Sequence, residues 1–433
     1  MNKQILRLAI PNIISNLSVP LLSSVDTALM GHLDEMYYLG ALAVGGIIFN
    51  FLYWGFGFLR MGTTGLTAQA FGKEDRLEMA LILARTLLLA LAGGGALILL
   101  QKPIAALSFR LIEATPLVER YAREYFFIRI YAAPATLALY VFHGWFLGMQ
   151  NARYPLLLTV VVNVANLGLN LFFVRHLHLN SAGVAYGTVI AQYLGLLLAG
   201  VLFLRRYRPY LLRFTRGDLF EARAVRRAFS VNGDIFLRTL GLIFTFSYFT
   251  AESAARGELV LAVNSILLQL INLLAYGVDG FAFAAESLVG RYLGAREAHN
   301  LRRAVRYAFR WGMGLGAAFA VGFGLFREPI LWIFTDKPEV VAEALVYMPW
   351  VIVAPLINSY CFIWDGIFIG ATATAAMRNS MLFCTFLVFL PAYWLLQGTL
   401  GNHSLWLALT LFMILRGVTL KRYSRRHVFG RVT

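Results

Sequence analysis

Leu156–Val174 reads LLLTVVVNVANLGLNLFFV, with Pro155 before it and Arg175 after it. Nothing in the stretch is charged. It is long enough to cross the hydrocarbon core of a bilayer, which takes roughly 18–20 residues of helix. Inside that core every backbone N–H and C=O must be satisfied within the segment, so the run is a helix. Leu382–Leu396 is a second such run, and comparable stretches recur along the chain. Of 433 residues, 59% are hydrophobic and only 14% charged, and the mean hydropathy is +0.68. A soluble domain carries about 25% charged residues, so much of this surface faces something other than water. The expected fold class is all-α: a polytopic membrane protein with about twelve transmembrane helices, whose ends are read to within a few residues.

The twelve spans are read at roughly 6–30, 38–70, 78–100, 118–149, 153–175, 183–205, 227–252, 258–292, 304–326, 340–370, 376–397 and 403–420. The net charge of +16 could point to nucleic acid, but its distribution points elsewhere. Arg205, Arg206, Arg208, Arg213, Arg216, Arg223, Arg226 and Arg227 follow span 6; Arg291, Arg296, Arg302 and Arg303 follow span 8. Lys421, Arg422, Arg425, Arg426 and Arg431 lie in the tail. The alternate loops are poor in cations: Asp34 and Glu35 follow span 1, and Arg256 lies between Glu252 and Glu258 after span 7. The loop after span 3, with Lys102, Arg110 and Arg120, fits least well. This is the positive-inside pattern of a multi-pass protein with both termini cytoplasmic and no nucleic-acid partner. Cys361 and Cys384 both lie in apolar runs, so no disulfide framework is expected. No cleavable signal peptide is apparent before the first span.

Sliding the chain against itself so that Gly144 falls on Gly366, an offset of 222, lays Gly144-Trp145-Phe146-Leu147-Gly148 on Gly366-Ile367-Phe368-Ile369-Gly370. The same offset pairs Gly72 with Gly294, Leu66 with Leu288, Asn50 with Asn272 and Gly55 with Gly277. Two lobes of six spans follow: an N-lobe over 1–205, a basic linker over 206–226 and a C-lobe over 227–433. An even number of spans per lobe gives both lobes the same orientation. That is a parallel-repeat architecture of transporters, in which the substrate site lies near the midplane.

Polar residues inside spans are costly and are functional candidates by default. In span 1, Asn12, Asn16, Ser23 and Asp26 share one helical face, and Asn163, Asn166 and Asn170 share one in span 5. Span 2 aligns Asn50, Tyr53, Gly57, Arg60, Thr64 and Thr67; span 8 aligns Asn272, Tyr276, Asp279 and Glu286. Two stripes meeting in one lobe would make a wet chamber where Asp26 takes a proton from one side and releases it on the other. Sodium is the alternative coupling ion, since carboxylate and amide oxygens suit a hard cation. The asparagines serve equally well as interhelical hydrogen-bond glue. Asp234 and Arg238, four apart in span 7, read as a static ion pair. Asp279 has Arg238 or Arg60 as a candidate partner, and a structural and a functional role stand equally open. Glu286 sits near the cytoplasmic end, where solvation accounts for it. His143, the repeat mate of Asp365, reads as a satisfied interior histidine.

These residues resemble the multidrug and toxic compound extrusion (MATE) family, and within it the DNA-damage-inducible F (DinF) branch. The resemblance spans nearly the whole chain. It rests on Val25-Asp26-Thr27 with Gly31-His32 in span 1, and on Arg60-Met61-Gly62-Thr63-Thr64-Gly65-Leu66-Thr67 in span 2. Gly148-Met149-Gln150-Asn151-Ala152-Arg153 leading into Asn163–Asn170 is similar as well. So are Asn232-Gly233-Asp234 with Arg238-Thr239, Asp279-Gly280-Phe281-Ala282, and Trp364-Asp365-Gly366.

The resemblance implies an inner-membrane, V-shaped, alternating-access efflux antiporter, a monomer and not an enzyme. It would export amphipathic organic molecules, often cationic, in exchange for H⁺ or Na⁺, with no other cofactor and no bound metal. Asp26 maps onto the family's coupling aspartate, and Asn166 and Asn170 onto its span 5 partners. Many members carry an aspartate where this chain has Asn170, which lowers the charge available to sodium and favours a single proton on Asp26. Asn16, Asn163, Tyr53 and Arg60 complete the expected N-lobe cavity. Asp234, Arg238, Asn272, Asp279 and Asp365 form a C-lobe polar set. The helix 7 acid of the family's sodium site is not evident, since Arg238 lies near its place. A membrane enzyme is disfavoured by the lack of metal-ligand spacing such as HExxH. The closer rival is a lipid-linked oligosaccharide flippase of the same broad superfamily, with Arg60, Arg85, Arg129 and Arg238 as candidate ligands for a pyrophosphate.

Overall fold

The computed structural model describes residues 1–31, 35–210 and 214–432; inside the first helix, the side chains at 22, 23 and 25–31 lie outside the described residues. No strand occurs among the described residues. The helices follow the expected spans: α1 (Asn2–Gly31), α2 (Met36–Gly72), α3 (Arg76–Leu99), α4 (Pro116–Gly148), α5 (Arg153–Arg175), α6 (Asn180–Tyr210), α7 (Ala222–Ala255), α8 (Glu258–Gly294), α9 (Ala298–Leu325), α10 (Pro338–Gly370), α11 (Thr374–Leu400) and α12 (His403–Arg431). Among the described residues, ten of them are long and apolar enough to cross a membrane. The other two, α1 and α7, have 30 and 34 residues, and α7 dilutes its apolar run with Asp234 and Arg238.

Interruptions within the rods have local causes. A 3₁₀ turn at Ile130–Ala132 precedes Pro134 in α4, and a π-helical segment at Thr385–Phe389 precedes Pro391 in α11. Proline lacks the N–H and crowds the carbonyl four residues back, and a tighter or wider turn absorbs the conflict.

The chain divides into two compact units: Ile14–Ala228, and Met1–Ile13 together with Phe229–Thr433. The segment Met1–Ile13 thus goes with the second unit rather than with the rest of the expected N-lobe. The side chains show why. Trp311 donates to the Asn2 amide oxygen at 3.1 Å, the Tyr292 hydroxyl pairs with Gln4 at 3.2 Å, and Gly280 lies against Ala9 and Ile13. The unit's core is rich in aromatics, with Phe249 edge-on to Trp406 and Phe389 to Phe412.

The internal repeat recurs in the packing. Gly144 lies on the backbone carbonyl of Arg60, and Gly148 on Thr64 and Thr67. In the other unit Gly366 lies on the carbonyl of Ala282, and Gly370 on that of Glu286. Positions 60 and 282, and 64 and 286, stand at the same offset as the glycines. Each unit therefore repeats the same intimate helix crossing, α2 with α4 and α8 with α10, made possible by two glycines a turn apart. Small residues let backbones approach where lipid supplies no hydrophobic drive. Gly144→Ala or Gly366→Ala forces the crossing open and is expected to cost about 1–3 kcal/mol. The check is the melting temperature of purified protein in detergent. Gly95→Ala, with nothing within 4 Å of the new methyl group, should leave it unchanged or raise it.

The linker is tied to the first unit. Thr215 caps the short helix Arg216–Leu219 in a capping box with Asp218, whose exposed carboxyl the Thr215 N–H and hydroxyl hold below the usual carboxylate range. Arg85 of α3 then holds that helix by its far end, donating to the carbonyls of Asp218 at 2.6 Å and Leu219 at 2.9 Å.

Candidate functional site

In the unit Ile14–Ala228 the polar stripe of α5 is engaged at three levels. Asn163 is half-buried and donates to the Ser18 hydroxyl of α1 at 3.1 Å. Asn166 is buried and donates to the Thr188 hydroxyl of α6 at 3.0 Å. Asn170, fully buried, donates to the Asn166 carbonyl at 3.1 Å. The Thr188 hydroxyl in turn donates to the Val184 carbonyl at 2.9 Å. The result is a one-way relay, Asn170 to Asn166 to Thr188. Gly187 gives Asn170 its room, since a methyl group there would strike the Asn170 amide oxygen.

Asn16 and Arg60 are half-buried. Tyr53 is buried against Phe49. The His143 Nε2 has no hydrogen-bond partner among the described residues. Asp26 belongs to α1 by its backbone, but its side chain lies outside the described residues.

The second unit holds a charge cluster that differs from the expectation. Asp234 and Arg238 do not pair with each other. Asp234 accepts from Arg378 and, at 2.9 Å, from the Thr374 hydroxyl, both on α11. Arg238 donates to Asp365 of α10. Arg416 of α12 reaches the same carboxylate oxygen at 2.5 Å and lies over the Phe412 ring. Buried side chains spend their charge on facing helices, where each contact also closes a packing gap. The alternative local pair would take Asp234 from Arg378 and leave Asp365 to Arg416 alone. Asp365, Arg238 and Arg416 are 5%, 7% and 1% exposed, so two permanent cations share one buried carboxylate. Glu286, expected near solvent, is 0% exposed: Gly370 brings α10 directly over it. Asp279 is half-buried and Asn272 exposed. Cys361 and Cys384 are buried free thiols.

Comparison with known proteins follows this division. The family model MatE matches residues 11–172 and 238–394. The chain belongs to the MatE family. The two MatE segments end at 172 and 394, which is the offset of the internal repeat again. This MatE chain is 41% identical to DNA damage-inducible protein F of Escherichia coli (strain K12), over 98% of this chain and 92% of that one. It is 26% identical to Multidrug and toxin extrusion protein 1 of Homo sapiens, over 96% of this chain and 73% of that one. A MOP superfamily transporter from Pyrococcus furiosus superposes with a TM-score of 0.89 at 20% identity, covering 100% and 97% of the two chains. A multidrug resistance MATE family transporter in an outward-facing conformation gives 0.87 at 19%, covering 99% and 96%. At these identities the two structures show a shared fold.

Within this MatE chain, Arg416, Arg378 and Thr374 are the site residues that the polar-stripe reading passed over. Arg416 carried one signal: it is an arginine inside an apolar span, between Leu415 and Gly417.

Proposed function

We propose that this MatE chain is a secondary active efflux antiporter of the inner membrane, with both termini cytoplasmic, exporting amphipathic organic molecules in exchange for protons. Asp26 is the proton carrier; Asn163, Asn166 and Asn170 hydrogen-bond it or the substrate.

The observation that supports this reading best is the register of α1 against α5. Asn180 and Tyr38, near the starts of α6 and α2, are hydrogen-bonded at 2.8 Å. The far ends of α5 and α1 therefore lie together, and the two helices run the same way. Ser18 faces Asn163. Eight residues on from Ser18 is Asp26, and seven on from Asn163 is Asn170; at about 1.5 Å per residue these are steps of about 12 and 10 Å. The backbone of Asp26 is thus level with the buried end of an asparagine relay. A carboxylate beside such a column can carry one proton as its access alternates.

Two features favour a proton over sodium. Asn170 supplies an oxygen but no second charge to any cation near Asp26. In the other unit a cation approaching Asp365 meets two fixed guanidinium charges. The flippase reading is weakened by the arginines it needs: Arg85 is spent on Glu78 and the linker, Arg238 on Asp365, and Arg129 on Tyr125 and the Phe49 ring.

The test is transport in proteoliposomes with a proton or a sodium gradient imposed separately, across cationic, neutral and anionic compounds. The expected result is export driven by the proton gradient alone. A response to sodium alone would overturn proton coupling. Scrambling of a labelled lipid-linked oligosaccharide without movement of any small compound would favour the flippase.

A further inference from the structure

One surface is left over by the transport mechanism. The first half of α9 carries Arg302, Arg303, Arg306 and Arg310, all exposed. Steps of 3, 4 and 7 place them on one stripe of the helix. The helix contains no acid over its 28 residues. None of the four arginines makes an ion pair or hydrogen bond with a described residue. Glu297, just before the helix, falls on the opposite side and accepts from the Asn300 amide at 2.5 Å. The Trp311–Asn2 hydrogen bond seats the start of α1 beside α9.

Left alone, this arrangement is unfavourable. Like charges four residues apart on a helix repel, and cations in the first turns oppose the macrodipole. Nor does the internal repeat require it. At the repeat offset the counterparts in α3 are Ala80, Leu81, Ala84 and Leu88, all uncharged. The stripe is therefore a property of the second unit, beyond the general excess of cations at one membrane face.

Its depth indicates the counter-charge. At about 1.5 Å per residue, α9 is about 42 Å long against a hydrocarbon core of about 30 Å. The excess places Arg302 and Arg303 among the headgroups and Arg306 near the boundary. Arg310 lies about one turn inside, within snorkelling reach of the interface. Trp311, an amphipathic ring at 37% exposure, marks the same level.

We propose that the α9 arginine stripe is a binding site for the phosphate of an anionic phospholipid, held at the membrane-facing side of the unit. The fork of a guanidinium matches phosphate oxygens in pairs, and a lipid delivers its phosphate at this depth as a dissolved ion does not. The site stands apart from the transport reading, because it uses neither Asp26 nor the asparagine relay.

The experiment measures association of spin-labelled phosphatidylglycerol and spin-labelled phosphatidylcholine with the full-length protein in phosphatidylcholine bilayers, so transport failure does not affect it. The parent protein is expected to prefer phosphatidylglycerol. Arg306→Gln/Arg310→Gln should lower that preference at least about fivefold, given the contribution of each surface cation to anionic-lipid binding. Arg425→Gln/Arg426→Gln, on the tail, should keep it. If the deeper pair does not yield monodisperse protein, Arg302→Gln/Arg303→Gln carries the test with the same expected loss. Equal association of the two lipids with the parent, or a preference that survives the stripe substitutions, overturns the proposal. Competition by millimolar inorganic phosphate as effective as by phosphatidylglycerol would also overturn it, by making the ligand a free anion.

Discussion

Asp365→Ala is expected to melt far below the parent protein, and further below it than Arg416→Met. The order follows from the charge count. Asp365 is the shared acceptor of Arg238 and Arg416. Removing it leaves two guanidiniums facing one another in a lobe core, each 7% exposed or less. An uncompensated buried charge costs about 3–5 kcal/mol after relaxation, and here there are two. Arg416→Met removes the surplus cation instead and leaves the Arg238–Asp365 pair intact, beside the Phe412 ring that a methionine can also cover. Its loss should be the smaller, and Asp365→Ala/Arg416→Met should recover part of what Asp365→Ala loses. The measurement is thermal unfolding of the purified variants in one detergent. If Arg416→Met melts lower than Asp365→Ala, the trio is not held together by a shared counter-charge.

Asp26→Asn is expected to insert and fold like the parent and to lose efflux driven by a pH gradient, down to the level of protein-free liposomes. The substitution keeps the shape and the hydrogen-bonding capacity but cannot exchange a proton. A companion change probes the ion from the opposite direction. Asn170→Asp supplies the second carboxylate that the resemblance to sodium-coupled members implies, next to Asn166 in the relay. Flux by that variant should begin to respond to a sodium gradient. Asp26→Asn that still exports under a pH gradient removes Asp26 from the mechanism.

The helices and the repeat were legible because they are written in local patterns. Apolar runs mark α1 to α11 to within a turn or two, whereas α12, read to 420, runs on to Arg431, and the repeat offset is visible in the glycine pairs that later prove to carry the matched crossing of each unit. The asparagine stripe was legible from spacing alone. Partners across the lobe were not. Helical spacing matched Asp234 with Arg238, but it holds no information about Arg378 on α11 or Arg416 on α12, both remote in the chain from α7. Arg416 comes into view only once α12 is laid against α10, 51 residues from Asp365. Glu286 misled for a related reason. It lies close to Arg291 and the end of α8 at Gly294, which reads as solvated, whereas Gly370 lets α10 cover it. Assignment to the second unit of Met1–Ile13 likewise depends on side-chain contacts of Asn2, Gln4 and Ala9 that no hydropathy pattern encodes.

Proton coupling through one residue has a direct readout that needs no gradient. Substrate added to detergent-solubilised protein in weak buffer should expel the proton held by Asp26, and a pH-sensitive dye reports it. The parent is expected to release protons in proportion to substrate bound, and Asp26→Asn to bind substrate with no release. Equal release by both proteins would contradict the assignment and move the coupling site to another side chain.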